Sequence, residues 1–558
     1  MPIEALPFLV YAELNSGIPA SGDEFQSLLK TLPRSGMLRV CSAINAVIGG
    51  WSRKYDFQTQ KSLIGTFLQP DWASKAILLE RPVFHRLQVL FTAKEALKHC
   101  RAAEEPLTDR LFDVGKALLM GSDQLNFGIP ESDNSLERVA SIIQSFVPLM
   151  EANRFSNYVN TIARGYLMNT DFIEPLRHSP DFVDVPGVFE NSTGIPLTSY
   201  FAMLFGCLSR FAETKIKNFD KLLIPPTWFR DAKVPASQID AFYKETASTP
   251  DELRIRATAT GVAPEDFVIF RDKPLVKDSN GSFPMDMTYL ADKFYSGPFW
   301  RVNFALATDD QERFHRFWGI VFEHYLNWIL SQSCNGKANH FLQDPRYAAD
   351  PHEQVCDGII VCDRQLLLLE YKGSTFRSTS KYGINIDAIK DELEQKLITS
   401  ADGSKKGVRQ LARAVERLCR YRNPDSIQGL DLSGITTVFP IMIIRDEIGS
   451  ALGMNAYLNE RFQSYKAKDL WRSVTPLFSL SVDDVESVTP YLADISLAKL
   501  LSFRYKKDKA LMGSFWLHVN ELVKKAGMRK PAFVKLALER IARNAANIFG
   551  LAPPDALK

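Results

Sequence analysis

The residues best suited to chemistry lie in the stretch CDGIIVCDRQLLLLEYKGSTF, residues 356–376. Its run of leucines ends in Glu370-Tyr371-Lys372, so an acid and a base stand one residue apart at the end of an apolar strand. Side chains alternate between the two faces of a strand, so Glu370 and Lys372 are predicted to share one side, with Tyr371 on the other. The pair is either a reactive site or a plain ion pair at a strand end.

Asp357 stands near the start of a second apolar strand in the same stretch. We predict two antiparallel strands, VCDGIIV and QLLLLEYK, joined by a tight turn at residues 362–364. Asp357 and Glu370 are 13 positions apart, and such a hairpin brings them to adjacent positions. Two neighbouring carboxylates repel each other unless a cation lies between them. Oxygen ligands suit Mg²⁺ or Mn²⁺, with the Tyr371 carbonyl as a further ligand and Lys372 placed to orient or deprotonate water.

Asp357, followed by a hydrophobic strand that ends in Glu370-Tyr371-Lys372, resembles the active-site signature of the PD-(D/E)XK nuclease superfamily. The resemblance covers residues 265 to about 450. It implies a restriction-endonuclease-like α/β core and metal-dependent hydrolysis of phosphodiester bonds. Cys356 stands where proline is frequent in the family.

The same resemblance implies two further site residues. Members often carry a glutamate on the helix before the hairpin, which Glu323 in GIVFEHYL supplies, and a glutamine on the helix after it, which Gln410 supplies. Ala414 stands where one variant of the family has tyrosine. From the helical pattern alone, Glu323 is either a solvent-facing acid or an acid aimed into a cleft. Gln410 belongs either to a polar solvent face or to a phosphate-contacting face beside the metal.

Other acid-x-Lys triplets occur in the chain, so the triplet alone is a weak signal. They are Glu213-Thr214-Lys215, Asp231-Ala232-Lys233 and Glu394-Gln395-Lys396. The first and third lie in helical patterns and the second in a proline-flanked loop. None of them follows an apolar strand with a second acid at hairpin distance, and this context distinguishes residues 370–372.

The elements that position these residues are predicted from hydrophobic periodicity. Residues 1–260 carry apolar residues at three-and-four spacing and are predicted to form a large α-helical N-terminal region. Residues 261–450 alternate helix, paired strands, helix and strand, which predicts an α/β nuclease core with a mixed central sheet. Residues 451–558 are predicted to form a smaller, basic α-helical region, since from Leu501 onward there are 12 lysines and arginines against 4 acids.

Composition bounds the class of protein. The chain has 558 residues, too many for one core, and its formal net charge is +2, so any nucleic-acid surface must be a local patch. The 7 cysteines form no CxxC pair, which argues against a zinc site or a disulfide framework and suits a reducing compartment. The sequence shows neither a signal peptide nor an apolar run of membrane-spanning length. We therefore expect a cytoplasmic protein without a membrane partner.

These observations predict a Mg²⁺- or Mn²⁺-dependent nuclease acting on DNA rather than RNA. Asp357, Glu370 and the Tyr371 carbonyl would hold the metal, Lys372 would position water, and Glu323 would assist in activating it. The helical N-terminal region would bind substrate, a protein partner or a second copy of the chain, and family analogy suggests restriction, repair or defence against mobile DNA. Two alternatives stay open: a non-enzymatic nucleic-acid-binding or scaffold protein on a decayed nuclease core, and a metal-dependent hydrolase of another phosphoester.

Overall fold

A computed structural model describes residues 8–49, 57–125, 135–152, 158–212, 222–259, 266–336, 338–383, 385–399, 406–422, 425–527 and 529–552. Within these ranges the chain folds into helices packed around one mixed central sheet, with a small second sheet among the N-terminal helices. The predicted mixed α/β class with a mixed central sheet is confirmed. No helix in these ranges has both the length and the hydropathy of a transmembrane span.

The described residues before 260 are mainly helical, as their periodicity predicts. Ser21 and Thr249 start two of its helices with capping boxes, in which each side chain accepts a hydrogen bond from the backbone three residues on. The helices are α1 Tyr11–Leu14, α2 Gly22–Lys30, α3 Arg34–Ile48, α4 Phe57–Phe67, α5 Pro70–Leu78, α6 Arg86–His99, α7 Leu111–Gln124, α8 Ser135–Ala152, α9 Tyr158–Thr170, α10 Val185–Thr193, α11 Leu197–Phe211, α12 Trp228–Asp231, α13 Ala236–Thr246 and α14 Pro250–Ala257.

The small sheet joins this region to the middle of the chain. Strand β1 (Ala247–Ser248) lies parallel to β2 (Leu275–Asp278), which pairs antiparallel with β3 (Gly281–Pro284). Helix α3 covers it, and Asn45 donates a hydrogen bond to the backbone oxygen of Met285 at 2.9 Å. The hairpin of β2 and β3 therefore belongs to the N-terminal helical layer and not to the central sheet.

The central sheet follows a long helix. The helices of this part are α15 Val268–Asp272, α16 Met287–Asp292, α17 Ser296–Ala305, α18 Thr308–Ser333, α19 Ser378–Lys381, α20 Ile386–Leu393, which continues as the π-helix Glu394–Ile398, and α21 Val408–Cys419. The strands are β4 His340–Gln343, β5 Gly358–Cys362, β6 Gln365–Lys372 and β7 Thr437–Ile444. Strands β4, β5 and β6 are antiparallel neighbours, and β7 runs parallel to β6.

Residues 451–558 are not purely helical, so that part of the prediction is wrong. Strands β8 (Ser473–Val474) and β9 (Phe478–Ser481) complete the central sheet by pairing parallel to β7. They are too short to show a periodic pattern in the sequence. Pro440, which has no N–H to donate, lies between the segments of β7 that pair with β8 and with β9. The helices here are α22 Met454–Tyr465, α23 Val482–Val488, α24 Leu497–Lys507, α25 Phe515–Lys525 and α26 Ala532–Phe549.

The two faces of the central sheet are buried in two separate cores. Leu367, Leu369 and Tyr371 join a large core that includes α18, the N-terminal helices and the C-terminal helices. Leu366 and Leu368 join a second core formed with α20, α21 and α22. Strand β6 is therefore buried on both sides, which explains its unbroken leucine run. Polar side chains at its end are presented between two packed layers.

Candidate active site at the end of the central hairpin

The β5–β6 hairpin brings Asp357 to the end of β6 that carries Glu370. Gly358 pairs with Leu369, so Asp357 and Glu370 occupy the next position beyond the last ladder pair. The strands are joined by a two-residue turn in which Asp363 has a φ of 55°, a left-handed conformation that aspartate tolerates. The turn fixes the register and, through it, the proximity of the two acids.

The backbone of β6 holds the Asp357 side chain in place. The Tyr371 N–H donates to Asp357 Oδ2 at 2.5 Å, and the Asp357 N–H donates to the Leu369 oxygen at 3.0 Å. In a strand the N–H and C=O of one residue point to the same side, so the Tyr371 carbonyl faces the edge where the Asp357 carboxylate lies. A carboxylate and a backbone carbonyl thus share one edge.

Glu370 and Lys372 point to the same face of β6, as their spacing predicts. Lys372 Nζ lies 2.5 Å from Glu370 Oε1, and only 9 % of Lys372 and 4 % of Glu370 are exposed. Lys372 Nζ also donates to Gln410 Oε1 at 3.2 Å. Gln410 is itself exposed at the start of α21, so it lies at the solvent boundary and also contacts the site lysine.

A glycine allows α21 to start this close to Lys372. Gly407 has a φ of 46°, and a Cβ at this position would lie 3.0 Å from Lys372 Cε and 2.1 Å from the Leu397 oxygen. Its N–H donates to Gln410 Oε1 at 2.6 Å. Gln410 therefore links the first turn of the helix to the lysine, and a side chain at Gly407 would displace both.

Glu323 reaches the site from α18, on the Tyr371 side of the sheet. The Tyr371 hydroxyl donates to Asn327 Oδ1 at 3.2 Å, and Glu323 lies one turn earlier on the same helix. Glu323 is half-buried, and burial raises its pKa, with further contributions from the charges of Asp344 and Glu370. It is therefore an acid within electrostatic range of the predicted site rather than a fully exposed surface residue.

Asp344 is a neighbour of the site that the sequence did not reveal. It follows β4 with a φ of 46°, and its N–H donates to the Asp357 oxygen at 3.3 Å. Its Oδ1 is buried without a hydrogen-bond partner, while its Oδ2 lies 2.7 Å from Arg346. An Asp-Pro pair after a short apolar run is a turn signal, and it was the one available indication.

The site holds more acids than bases. Burial raises the pKa of Asp357 well above its usual range, and the charges of Glu370 and Glu323 raise it further. Lys372 and the Tyr371 N–H oppose this rise without cancelling it. A group of carboxylates that keeps a raised pKa beside a lysine would be stabilised by an added cation.

The oxygen donors at this strand end are of the kind that a hydrated divalent cation takes. Asp357, Glu370 and the Tyr371 carbonyl offer hard oxygen atoms, and Mg²⁺ commonly takes one or two carboxylates and keeps several waters. Across the described part of the chain, no group of three or more His, Cys, Asp or Glu side chains is arranged to hold a metal ion. A closed cage is thus not seen among these residues, and the fit rests on the two carboxylates and the carbonyl.

A second buried lysine–carboxylate pair lies at the same end of the sheet. Lys381 Nζ is 3.2 Å from Asp446 Oδ1, and the backbone N–H groups of Phe376 and Ile448 donate to Asp446 at 2.9 and 3.1 Å. Burial alone would raise the pKa of Asp446, but Lys381 and these N–H groups lower it below its usual value. The negative charge of the Asp446 carboxylate is therefore compensated by Lys381 and by these N–H groups.

Comparison with known proteins adds no relative to these observations. No protein-family model, no curated protein and no solved structure matches the chain.

Proposed function

We propose that the chain is a metal-dependent nuclease that hydrolyses phosphodiester bonds in DNA. The observation that carries the proposal is the convergence of Asp357, Glu370 and Lys372 at one strand end. Glu370 and Lys372 are 2.5 Å apart, and Asp357 is held at the adjacent backbone position. Acids paired with a lysine in this way are suited to holding a cation and a water next to a phosphate.

Each residue has a role that follows from its contacts. A bound Mg²⁺ or Mn²⁺ would supply Lewis-acid polarisation of the phosphate, and Asp357, Glu370 and the Tyr371 carbonyl would be its ligands. Lys372 would orient the attacking water through its ammonium donors and offset the charge that develops on the phosphate. Gln410 fixes the Lys372 ammonium from the solvent side. Glu323, whose pKa is raised, would accept a proton from the attacking water on the side opposite Lys372.

A polyanionic substrate such as DNA is supported by the distribution of charge along the chain. The whole chain has a net charge of +2, yet the part after Leu501 has an excess of 8 positive charges. Local lysine and arginine excess supports binding to a polyanion through its phosphates. The local excess of basic residues, rather than the net charge of the chain, therefore supports a polyanionic substrate, and DNA is our proposal within that class.

A second candidate is a nucleic-acid-binding protein without catalytic activity. It is favoured by the Lys372–Glu370 ion pair, in which each charge already compensates the other, and by the lack of a three-ligand metal cluster among the described residues. This candidate keeps the binding surfaces and predicts no cleavage.

The test is a cleavage assay on supercoiled plasmid and linear duplex DNA with Mg²⁺ or Mn²⁺. We expect chelation of the metal to abolish cleavage by the wild type. Lys372→Ala should cleave about 100-fold to 10,000-fold more slowly than the wild type, because a group that positions or deprotonates water contributes this much to the rate. Asp357→Ala should lose activity to the same extent.

A matched control is available in the Asp231-Ala232-Lys233 triplet. Lys233 is exposed and lies outside both sheets, so Lys233→Ala makes the same substitution in the same local pattern without touching the site. It should cleave like the wild type. Equal cleavage by wild type, Lys372→Ala and Asp357→Ala would contradict the proposal, and the absence of any cleavage with intact DNA binding would favour the second candidate.

A further inference from the structure

Helix α21 carries a row of arginines that begins beside the candidate active site. Arg409, Arg413, Arg417 and Arg420 recur at three-and-four spacing, so they share one face of the helix. The opposite face, with Leu411 and Val415 among others, is buried in the second core. Gln410, which contacts Lys372, lies at the start of this row. We call these four arginines the arginine stripe.

The stripe ends at two exposed aromatic side chains. Tyr421 is 62 % exposed and Trp471 is 63 % exposed, both unusual for residues of this size. The backbone N–H of Trp471 donates to the backbone oxygen of Cys419 at 2.6 Å, which holds this residue beside the end of α21. Arg422 Cζ lies 5.9 Å from the centre of the Trp471 ring, and Arg420 Cζ lies 5.6 Å from that of Tyr421.

A third aromatic residue flanks the beginning of the stripe. Tyr465, at the end of α22, is also exposed, and the Cζ atoms of Arg409 and Arg461 lie 5.2 and 5.8 Å from its ring centre. Exposed aromatic rings with nearby arginines therefore lie at both ends of α21. Base stacking on aromatic rings with nearby arginines is the usual means of binding single-stranded nucleic acid.

The charge on this surface is modest, because acids neutralise part of the stripe. Glu353 pairs with Arg413 and Arg417, Asp425 pairs with Arg417, and Glu416 pairs with Arg420, so three of the four arginines have an acidic partner. A duplex held by its phosphates alone needs many unpaired cations. Exposed rings beside partly paired arginines favour a ligand whose bases are free to stack.

The distance from Gln410 to Tyr421 along α21 indicates how many nucleotides this surface could bind. Tyr421 follows Gln410 by 11 residues, which is about 16 Å at the rise of an α-helix. This corresponds to about five nucleotides at B-form spacing. A strand lying along α21 would have one end at Lys372 and stack its bases on Tyr421 and Trp471.

We propose that the arginine stripe, with Tyr421, Tyr465 and Trp471, binds a single-stranded DNA segment continuous with the strand at the active site. The substrate would then be DNA with a single-stranded end or flap next to the scissile bond. This inference rests on the proposed function for the position of the cleaved bond, but the binding surface is testable without cleavage.

The test measures binding of fluorescein-labelled oligothymidylate by anisotropy in EDTA, in an Asp357→Asn background that excludes cleavage. Trp471→Ala and Tyr421→Ala should each weaken binding at least about fivefold, the lower end for the loss of one stacked base. Trp471→Phe should restore most of the affinity, because it keeps a ring. Phe304→Ala, which removes an exposed aromatic from α17, is the matched control and should bind like the background protein.

The outcomes separate this inference from the proposed function. Equal oligothymidylate affinity in the background protein, Trp471→Ala and Tyr421→Ala would overturn it, as would tighter binding to blunt duplex than to the single strand. Wild-type cleavage of duplex DNA together with unchanged single-strand affinity in these variants would leave the nuclease proposal intact and remove this one. Weakened single-strand affinity without any cleavage would support the surface and contradict the nuclease.

Discussion

Two buried lysine–carboxylate pairs lie at the same end of the central sheet, and they differ in how completely their charges are compensated. Lys381 and Asp446 form a closed unit, in which two backbone N–H groups complete the coordination of the acid and its pKa is lowered. Lys372 and Glu370 have the shorter contact, yet the neighbouring Asp357 keeps a pKa raised by burial and by the charge of Glu370. In the first arrangement the pKa of the acid is lowered, whereas beside the second the pKa of Asp357 is raised.

The difference supports our proposal that the Lys372–Glu370 pair belongs to the active site. Buried charges are normally paired and hydrogen-bonded, because an uncompensated one lowers stability. Asp357 lies next to Glu370, and Glu323 and Asp344 are within electrostatic range of this pair. In the absence of a cation, this concentration of carboxylates lowers the free energy of unfolding. Carboxyl groups with strongly shifted pKa values are concentrated at functional sites.

Substituting the lysine of each pair should show that the two pairs respond differently to Mg²⁺. In EDTA, Lys381→Met and Lys372→Met should each lower the free energy of unfolding by about 3–5 kcal/mol, because each leaves a buried carboxylate unpaired. Saturating Mg²⁺ should restore much of the loss in Lys372→Met, since the cation replaces the missing charge, and none of it in Lys381→Met. Urea unfolding followed by circular dichroism measures both.

The double variant Lys381→Met/Asp446→Asn serves as the control for this comparison. It removes the orphaned charge at Asp446 and should regain part of the stability lost in Lys381→Met. Equal restoration of both lysine variants by Mg²⁺, or of neither, would contradict the distinction between a structural pair and a cation site.

Removing the surplus acid should stabilise the metal-free protein. Because the pKa of Asp357 is raised, folding favours its protonated form, so stability falls as pH rises from the ordinary carboxyl range through the raised pKa and recovers as pH falls. Asp357→Asn keeps an oxygen for the Tyr371 N–H and carries no charge. We expect about 1 kcal/mol of added stability at neutral pH and a flatter pH dependence.

Melting temperatures in EDTA across the acidic to neutral range check this expectation. The wild type should lose melting temperature relative to Asp357→Asn as the pH increases. A variant that is less stable than the wild type at every pH would show that Asp357 is compensated in the same way as Asp446.

Local rules were sufficient to predict the centre of the candidate site. A two-residue turn and strand alternation determine that Asp357 lies opposite Glu370 and that Glu370 and Lys372 share a side. The long apolar periodicity of α18 also predicted a helix at Glu323. Whether Glu323 and Gln410 point to solvent or to the site could not be predicted, because that depends on how α18 and α21 pack on the sheet.

Features that depend on tertiary pairing were missed. Asp344 reaches the site because β4 pairs with β5 in one register, and a four-residue strand with exposed ends gives no alternation to recognise. The burial of Lys381 against Asp446 joins residues 65 positions apart. Strand β9 is detectable only through its pairing with β7. In these cases the residues that flank a position in the sequence do not indicate which distant residue it contacts.

The most direct test of the central claim is a Mn²⁺ titration followed by electron paramagnetic resonance on the wild type, Asp357→Asn and Lys381→Met. A functional cation site predicts saturable binding of Mn²⁺ to the wild type, loss of that binding in Asp357→Asn, and its retention in folded Lys381→Met. Equal Mn²⁺ binding by the wild type and Asp357→Asn, or no binding by either, would contradict the claim that these carboxylates hold a metal.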